Sequence, residues 1–289
     1  MNRTGIHKKR REPTNRISLV LSVLRIVGSV IARAAFIFHI RRRVTTENLE
    51  SAFPALSEND RIKIAKKSYS NIGIVFAEMV YLRYAKSKYI AEHITIANPA
   101  MYHSAIAQSR GLVVIAGHFA NWEWLALGGS MLLHSNFAVV RKNIQTTFTE
   151  RFLDKMRKRS GNQLINSADI RKMFRVLQNG NCIALLADQA APSESVRVDF
   201  FGREVPAFEG PARLALRTQA PMLLAECRRV DDGDYLITFH EIAYSDLVGH
   251  SIESVKELTV RHTKLLEEII RRNPEQWLWQ HRRWKNAGI

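Results

Sequence analysis

The chain contains 289 residues, of which 46% are hydrophobic, so it is long and apolar enough to bury one large core or two small ones. Its 43 lysines and arginines outnumber its 27 aspartates and glutamates, and the net charge of +16 predicts a polyanionic partner such as nucleic acid, anionic lipid or a phosphorylated substrate. Cys182 and Cys227 lie in apolar runs without partners at metal-ligand spacing, which argues against a disulfide framework and against a zinc site.

The N-terminal region combines dense positive charge with the most apolar stretch of the chain. Residues 1–43 hold eleven lysines and arginines and a single glutamate. Arg25 and Arg33 interrupt the apolar residues 17–40, and a central arginine costs about 2.5–3.5 kcal/mol on insertion scales. We therefore expect an amphipathic helix at an anionic membrane surface, with both arginines on nearly one face, rather than a transmembrane span. A basic tail followed by an ordinary docking helix is the alternative.

Three helical segments precede the first predicted strand. Residues 59–84 carry apolar side chains at helical spacing, with Ser57 in the position of an N-cap. Residues 48–57 are also helical in pattern, and residues 98–109 predict a short helix that ends before Gly111. On physical grounds these segments form a helical layer, to which we assign no chemistry.

The chain is organised around residues 117–124, Gly-His-Phe-Ala-Asn-Trp-Glu-Trp. The apolar residues 112–116 before them predict a buried strand. Asn121 fits the N-cap of an apolar helix over residues 122–133. The motif therefore lies at the carboxyl end of a buried strand, where α/β sheets hold their functional sites.

Two residues of this motif suggest acid–base chemistry. His118 lies on the turn, and Glu123 lies in the first turn of the following helix, from which its carboxylate can reach back to the imidazole. A histidine whose tautomer is held by a carboxylate is suited to removing a hydroxyl proton. Because the chain has no Gly-x-Ser-x-Gly elbow, that hydroxyl would belong to a substrate. The alternative is a histidine that caps a strand and a glutamate on a solvated helix face.

The next predicted strand, residues 137–142, ends in two cations, Arg141 and Lys142. If this strand lies beside the histidine strand, a cation at its end can meet a phosphate or a developing oxyanion. A strand-end charge in solvent is the alternative. A basic helix is predicted over residues 147–159.

A third buried strand, residues 182–187, follows a helix predicted over residues 169–177. This strand ends in Asp188 and Gln189. A carboxylate and an amide at the end of a core strand are rarely required for packing alone, so both are candidate site residues.

The region after Gln189 begins with residues 193–206, which are predicted to form a polar loop containing Gly202. Phe200, Phe201 and Phe208 suit either the lining of an apolar channel or the core.

The C-terminal region completes the alternation of strands and helices. Helices are predicted over residues 209–219 and 251–272. Between them, residues 221–227 and 235–242 are predicted to be the two strands of a hairpin. Aromatic and basic side chains alternate over residues 277–285, which suits nucleic-acid stacking or an interfacial membrane anchor, and His281 is a weak catalytic candidate. The whole pattern indicates one α/β domain, a mixed sheet with helices on both faces, preceded by an N-terminal helical attachment.

Residues 117–123 resemble the H-x-x-x-x-[DE] box of the lipid A late acyltransferases (lauroyl and myristoyl transferases) of the lysophospholipid acyltransferase superfamily. The similarity extends from about Asn48 to Lys285. It includes the Asn-Leu-x-x-Ala-Phe-Pro segment at residue 48, Arg141, the Asp188–Gln189 pair, residues 198–202 and the Trp-Lys ending. The resemblance implies that this ending is structural and lines the substrate site.

This resemblance implies a glycerolipid acyltransferase-like fold, with residues 1–45 as the basic tail and membrane-associated helix and residues 46–289 as the catalytic domain. It implies transfer of a fatty acyl group from an acyl carrier protein or coenzyme A thioester to a hydroxyl of a lipid A precursor. The expected partners are acyl carrier protein, the glycolipid and an anionic membrane surface, without nucleic acid. The expected location is the cytoplasmic side of the inner membrane, and no metal or cofactor is expected.

The resemblance also implies roles for individual residues. His118 is expected to be the general base, Glu123 its partner, and Arg141 the group that binds phosphate or the oxyanion. Asp188 is expected to orient Arg141 or the acceptor. The expected substrate-binding residues are Asn121, Lys142, Gln189, Phe201 and Gly202.

Two alternatives remain open at this point. One is an acyltransferase for another glycolipid or a lysophospholipid. The other is a non-catalytic basic protein that binds a membrane surface or nucleic acid, which predicts salt-dependent binding that survives loss of His118 and Glu123.

Overall fold

A computed structural model of the protein describes residues 19–141, 148–230 and 233–287. The helices in these ranges are α1 (Leu19–Ile37), α2 (Arg42–Ala52), α3 (Glu58–Leu82), α4 (Ser87–Glu92), α5 (Pro99–Ile106), α6 (Trp122–Leu132), α7 (Phe148–Arg157), α8 (Ile170–Gln178), α9 (Gly210–Thr218) and α10 (Ile252–Arg272). The strands are β1 (Ile94–Ile96), β2 (Leu112–Ala116), β3 (Phe137–Arg141), β4 (Gln163–Asn166), β5 (Cys182–Leu186), β6 (Arg197–Phe200), β7 (Arg203–Pro206), β8 (Met222–Arg229) and β9 (Tyr235–Glu241).

The main sheet confirms the predicted α/β class. Its seven strands lie in the order β1-β9-β8-β2-β5-β3-β4, with helices flanking the sheet. Neighbouring strands are parallel except β8 and β9, which form the antiparallel hairpin that the sequence predicted. Strand β2 lies at the centre and all of its residues are buried, which explains why its sequence is a continuous apolar run. Cys182 and Cys227 are free and buried, as expected.

The structure differs from the sequence prediction at its short elements. The pattern did not predict β1, β4 or α4, because segments of three to six residues are too short for periodicity to identify. Residues 193–206, expected to form a polar loop, contain the antiparallel hairpin β6–β7. Its turn residues, Phe201 and Gly202, have φ values of 56° and 74°, and two left-handed residues in succession match the twist of a tight hairpin.

The order of the strands corrects one expectation about the site. Strand β3, with Arg141 at its end, does not lie beside β2, because β5 lies between them and pairs in parallel with both. The register pairs Ala116 with Leu186. The chain leaving β5 at Asp188 therefore lies next to the chain leaving β2 at His118.

Helix α1 packs along α3. Gly28 and Gly73 bring the two backbones so close that a Cβ atom on either glycine would overlap the carbonyl oxygen of the other. The side chain of Arg25 is only 12% exposed and forms an ion pair with the fully buried Glu78. Arg25 therefore faces α3, and its charge is used inside the protein. Arg33 lies on the exposed side, where it donates to the Ser70 hydroxyl at 2.6 Å.

The outer surface of α1 is apolar. Its exposed large side chains are Leu19, Val20, Val23, Ile26, Val27, Val30, Ile31 and Ile37. Among the described residues, α1 is the one helix whose length and composition fit a membrane span. The basic residues 1–18 lie outside the described ranges.

The close approach of α1 and α3 can be tested with Gly73→Ala. The added methyl group has to push α1 away from α3, so we expect the free energy of unfolding to fall by about 1–3 kcal/mol. Gly210→Ala is the matched control, because no atom lies within 4 Å of the Cβ position there. Denaturant unfolding of both variants measures the difference, and equal stability of the two would contradict the packing described here.

Candidate active site

The turn between β2 and α6 is held at both ends. Asn121 caps α6 as predicted, since its Oδ1 accepts the backbone N–H groups of Glu123 and of the next residue at 3.0 and 3.2 Å. Ala120 has a left-handed backbone, at φ 44°, and its N–H donates to the carbonyl of Gln276 at 2.7 Å. His118 is thus presented from a rigid turn at the carboxyl edge of the sheet.

Asp188 is the carboxylate that contacts His118. Its Oδ1 lies 2.6 Å from Nδ1 of the imidazole, and its Oδ2 accepts the backbone N–H of His118 at 2.6 Å. Trp277 donates its indole N–H to the same Oδ2 at 2.8 Å. Burial by itself would raise the pKa of Asp188, but the imidazole and these hydrogen bonds outweigh burial and hold that pKa below its ordinary value. Asp188 is therefore ionised at neutral pH.

Gly117 allows this carboxylate to approach the turn. A Cβ atom on Gly117 would lie 3.2 Å from Oδ2 of Asp188 and 2.9 Å from the side chain of Leu266. A larger residue would have to displace one of them. Steric crowding by Asp188 and Leu266 therefore explains why glycine occupies the position before His118.

The protonation of the imidazole follows from its contacts. An ionised carboxylate only accepts hydrogen bonds, so Nδ1 of neutral His118 carries the proton and Nε2 presents a lone pair. The side-chain amide of Gln189 donates to Nε2 at 3.2 Å. The imidazole also packs against Trp122, with ring centroids 4.8 Å apart. A substrate hydroxyl that replaces the Gln189 amide would meet a base.

Glu123 does not contact His118 within the described part of the chain, which corrects the expected pairing. Its carboxylate is buried and accepts from Arg157, at 3.0 Å from Nε and 2.5 Å from Nη2. Burial lowers the pKa of the Arg157 guanidinium, but the hydrogen bonds and the charge of Glu123 outweigh burial and raise it. The pair is a bidentate ion pair of the strongest geometric type.

Arg141 is engaged by carboxylates from α7. Its Nη2 donates to Asp154 at 2.9 Å and its Nη1 lies 3.6 Å from Glu150. The carboxylate of Asp188 binds His118 and Trp277, and the expectation that Asp188 orients Arg141 or the acceptor stays a prediction. Lys142 lies outside the described residues.

A cavity of about 810 Å³ joins these groups. Its polar lining includes His118, Glu123, Arg141, Arg157 and Gln189. The rest is mostly apolar and comes from β2, β3 and β5, from α6, α8 and α9, and from Phe208. A mostly apolar cavity that also exposes a base and two ion pairs suits a ligand with an apolar chain and a reactive polar group.

Phe201 and Gly202, expected to bind substrate, do not line this cavity. Phe201 is buried in an aromatic cluster with Phe200, Trp279 and Trp284. Gly202 forms the turn of the hairpin. Phe201 and Gly202 therefore contribute to the core and to the hairpin turn, whereas Phe208 lines the cavity.

The C-terminal segment, residues 276–285, binds the turn that carries His118. The N–H of Leu278 donates to the carbonyl of His118 at 3.1 Å. Side chains of α2 and α3 hold this segment in turn: Asn48 donates to the Trp279 carbonyl at 2.7 Å and Ser68 to the Trp277 carbonyl at 2.9 Å. The helical layer before the motif therefore supports the site indirectly.

Sequence reasoning missed two residues of the site, Arg157 and Trp277. Arg157 lies near the end of a predicted basic helix, where one arginine among several cations carries no distinctive signal. The family resemblance gave the C-terminal ending a structural and substrate-lining role, and Trp277 is indeed buried, but its hydrogen bond to Asp188 was not predicted. A buried carboxylate such as Asp188 requires donors, and this requirement was the available signal for Trp277.

Comparison with known proteins adds independent information. The family described as bacterial lipid A biosynthesis acyltransferase matches residues 18–286. The chain is 25% identical over 272 residues to the lipid A biosynthesis lauroyltransferase of Escherichia coli K12, covering 93% of this chain and 87% of that protein. It is 25% identical over 279 residues to the palmitoleoyltransferase of the same strain, covering 94% and 88%. The phosphatidylinositol mannoside acyltransferase of Mycobacterium tuberculosis is 30% identical over 131 residues, covering 43% of this chain and 40% of that protein.

The ionised state of Asp188 predicts a pH-dependent contribution to stability. Because its folded-state pKa is lowered, the carboxylate stabilises the fold above its unfolded-state pKa of about 3.8, and this contribution is lost as pH falls through the lower folded-state pKa. The melting temperature of Asp188→Asn should therefore fall furthest below wild type near pH 7, and the gap should narrow below about pH 4. Thermal melts between pH 7 and pH 3 measure this, and a constant gap would contradict it.

Proposed function

The chain belongs to the bacterial lipid A biosynthesis acyltransferase family, and on that premise we propose that it transfers a fatty acyl group from a thioester donor to a hydroxyl of a lipid A precursor. The proposed donor is acyl carrier protein or coenzyme A. The observation that carries the proposal is the His118–Asp188 pair, with His118 in the lining of the mostly apolar cavity.

The proposed reaction is a direct acyl transfer. Nε2 of His118 takes the proton of the acceptor hydroxyl while its oxygen attacks the thioester carbonyl carbon. Asp188 keeps Nδ1 protonated and stabilises the imidazolium that forms. When the tetrahedral intermediate collapses, the carbon–sulfur bond breaks and the imidazolium returns the proton to the leaving thiolate. The thioester is itself the activated donor, so the proposed step uses no cofactor and no acyl-enzyme.

The intermediate carries a negative oxygen, which needs a nearby cation or donor. We assign this role to Arg157 rather than to Arg141. Arg157 is held by Glu123, whose position is set by the capped first turn of α6. Arg141 lies 2.9 and 3.6 Å from two carboxylates of α7, whereas Arg157 forms a bidentate pair with Glu123, so we expect Arg157 to be the more rigidly placed cation. Arg141 lines the same cavity, and its guanidinium is suited to binding a phosphate group of the lipid acceptor.

The apolar part of the cavity is proposed to hold the acyl chain, with Phe208 in its wall. The apolar outer face of α1 and the basic residues before it support attachment to an anionic membrane, where the lipid acceptor resides. The proposed location is the cytoplasmic side of the inner membrane. In this proposal residues 1–45 attach the protein and residues 46–289 carry the reaction.

Transfer of labelled acyl groups to a tetra-acylated lipid A precursor tests the function, with acyl carrier protein and coenzyme A as separate donors. Wild type should transfer from at least one donor. Asp188→Asn should lower kcat on the order of 10²–10⁴-fold, because the asparagine amide no longer selects the Nδ1–H tautomer. Wild-type rates in folded His118→Ala would overturn the mechanism.

Parallel assays with lysophospholipid and mannolipid acceptors separate the competing acyltransferase functions. Acylation of the mannolipid alone would favour an activity like that named for the Mycobacterium tuberculosis relative. Salt-dependent binding to vesicles or nucleic acid without transfer to any acceptor would favour the non-catalytic alternative.

The assignment of the oxyanion role is tested by a matched pair of lysine variants. Arg157→Lys keeps the charge but loses the bidentate contact with Glu123, and kcat should fall by about 10- to 100-fold. Arg141→Lys, with the same change of side chain in the same cavity, should lower kcat by no more than about threefold. Steady-state kinetics of both variants decide between them, and the reverse order of effects would return the role to Arg141.

A further inference from the structure

A buried carboxylate outside the proposed mechanism connects α1 to the catalytic turn. Glu78 of α3 is fully buried. Its Oε1 accepts from Nε of Arg25 at 2.6 Å and lies 2.5 Å from Nη2 of the same guanidinium. Its Oε2 accepts from Nδ2 of Asn121 at 2.7 Å and from the hydroxyl of Tyr235 at 2.5 Å. One carboxylate thus receives donors from the N-terminal helix, the catalytic turn and β9.

The contact with Glu78 determines how the Asn121 amide is oriented. A side-chain amide has a donor end and an acceptor end, and both ends of Asn121 are buried. Because its NH₂ group faces Glu78, its oxygen faces the helix and accepts the N–H of Glu123. Inverting the amide would set an oxygen against the carboxylate and an NH₂ group against the N–H groups of α6. Glu78 therefore stabilises the orientation that caps the helix.

The charge of Glu78 is compensated by α1. Arg25 places its guanidinium against the carboxylate and also donates to the carbonyl of Gly233, at the β8–β9 turn, at 2.8 Å. A buried carboxylate without its cation is strongly unfavourable, so the fit of α1 and the position of Glu78 depend on each other.

We propose that Glu78 is a positioning residue for the acyl transfer. Through Asn121 it holds the first turn of α6, and hence the Glu123–Arg157 pair. Through Arg25 it makes this geometry depend on the packing of α1 against α3. The proposal rests on the proposed function for its kinetic readout. It makes α1 part of the catalytic architecture in addition to any contact with a membrane.

The first test exchanges donor and acceptor in the full-length protein. In Glu78→Gln, whichever way the new amide turns, an N–H faces the donor of Arg25 or of Asn121. In Asn121→Asp, two carboxylates face each other. Each single variant should lower kcat about tenfold or more, with KM for both substrates within about threefold, because positioning rather than binding is lost.

The double variant Glu78→Gln/Asn121→Asp restores complementary groups, because the glutamine amide donates to the aspartate while the aspartate still caps α6. Its kcat should recover to within about threefold of wild type, a coupling that independent structural damage would not produce. Tyr235→Phe is the matched control. It removes a donor from the same oxygen of Glu78 without touching Asn121 or Arg25, and kcat should stay within about twofold.

The second test does not depend on catalysis. Hydrogen exchange of the backbone amides in residues 117–127 should speed up in Glu78→Gln and in Arg25→Gln, return toward wild type in the double exchange variant, and remain unchanged in Tyr235→Phe. If wild type transfers acyl groups to no acceptor, the proposed function fails, and hydrogen exchange still decides whether Glu78 holds the turn. Unchanged exchange in folded Glu78→Gln, or a double variant no better than the worse single variant, overturns the proposal.

Discussion

The carboxylate of Asp188 is the interaction on which the geometry of the site depends. It accepts hydrogen bonds from the imidazole and the backbone of His118 and from the indole of Trp277. These donors come from two different parts of the chain, and the acceptor comes from a third. A buried charge is tolerated only when it is surrounded by donors. The same contacts that orient the base therefore hold β2, β5 and the C-terminal segment together.

Around this centre, the protein uses buried polar groups to fix irregular backbone. Asn48, Ser68 and Asn71 of the N-terminal helices donate to carbonyl groups of the C-terminal segment. In its described part, this segment is joined to the histidine turn by a single β-bridge between Phe119 and Trp277. Backbone groups of a buried loop need such partners. The sequence assigned no chemistry to the layer formed by α2 and α3. This layer nevertheless supports the site, because it binds the C-terminal segment, which in turn binds the His118 turn.

Two carboxylates near the cavity have separate partners. Asp188 faces an imidazole and Glu123 faces a guanidinium. The first pair is suited to moving a proton, and the second holds a guanidinium in a fixed position in the lining of the cavity, as stabilisation of a developing oxyanion requires. Because each pair is separate, His118 and Arg157 each keep their own carboxylate and do not compete for one partner.

Hydrophobic periodicity and capping residues in the sequence determined the strand β2, the helices α3 and α6 and the Asn121 cap, because these depend on neighbours within a few residues. They also identified His118, Asp188 and Gln189 as strand-end residues. They could not decide that Asp188, seventy residues away, rather than Glu123 contacts His118. That choice depends on β5 lying between β2 and β3, and on Arg157 binding Glu123. It also depends on the β2–β5 register, which places the carboxyl ends of these two strands side by side. Strand order and long-range ion pairs arise from packing of the whole chain, so only the tertiary structure decided them.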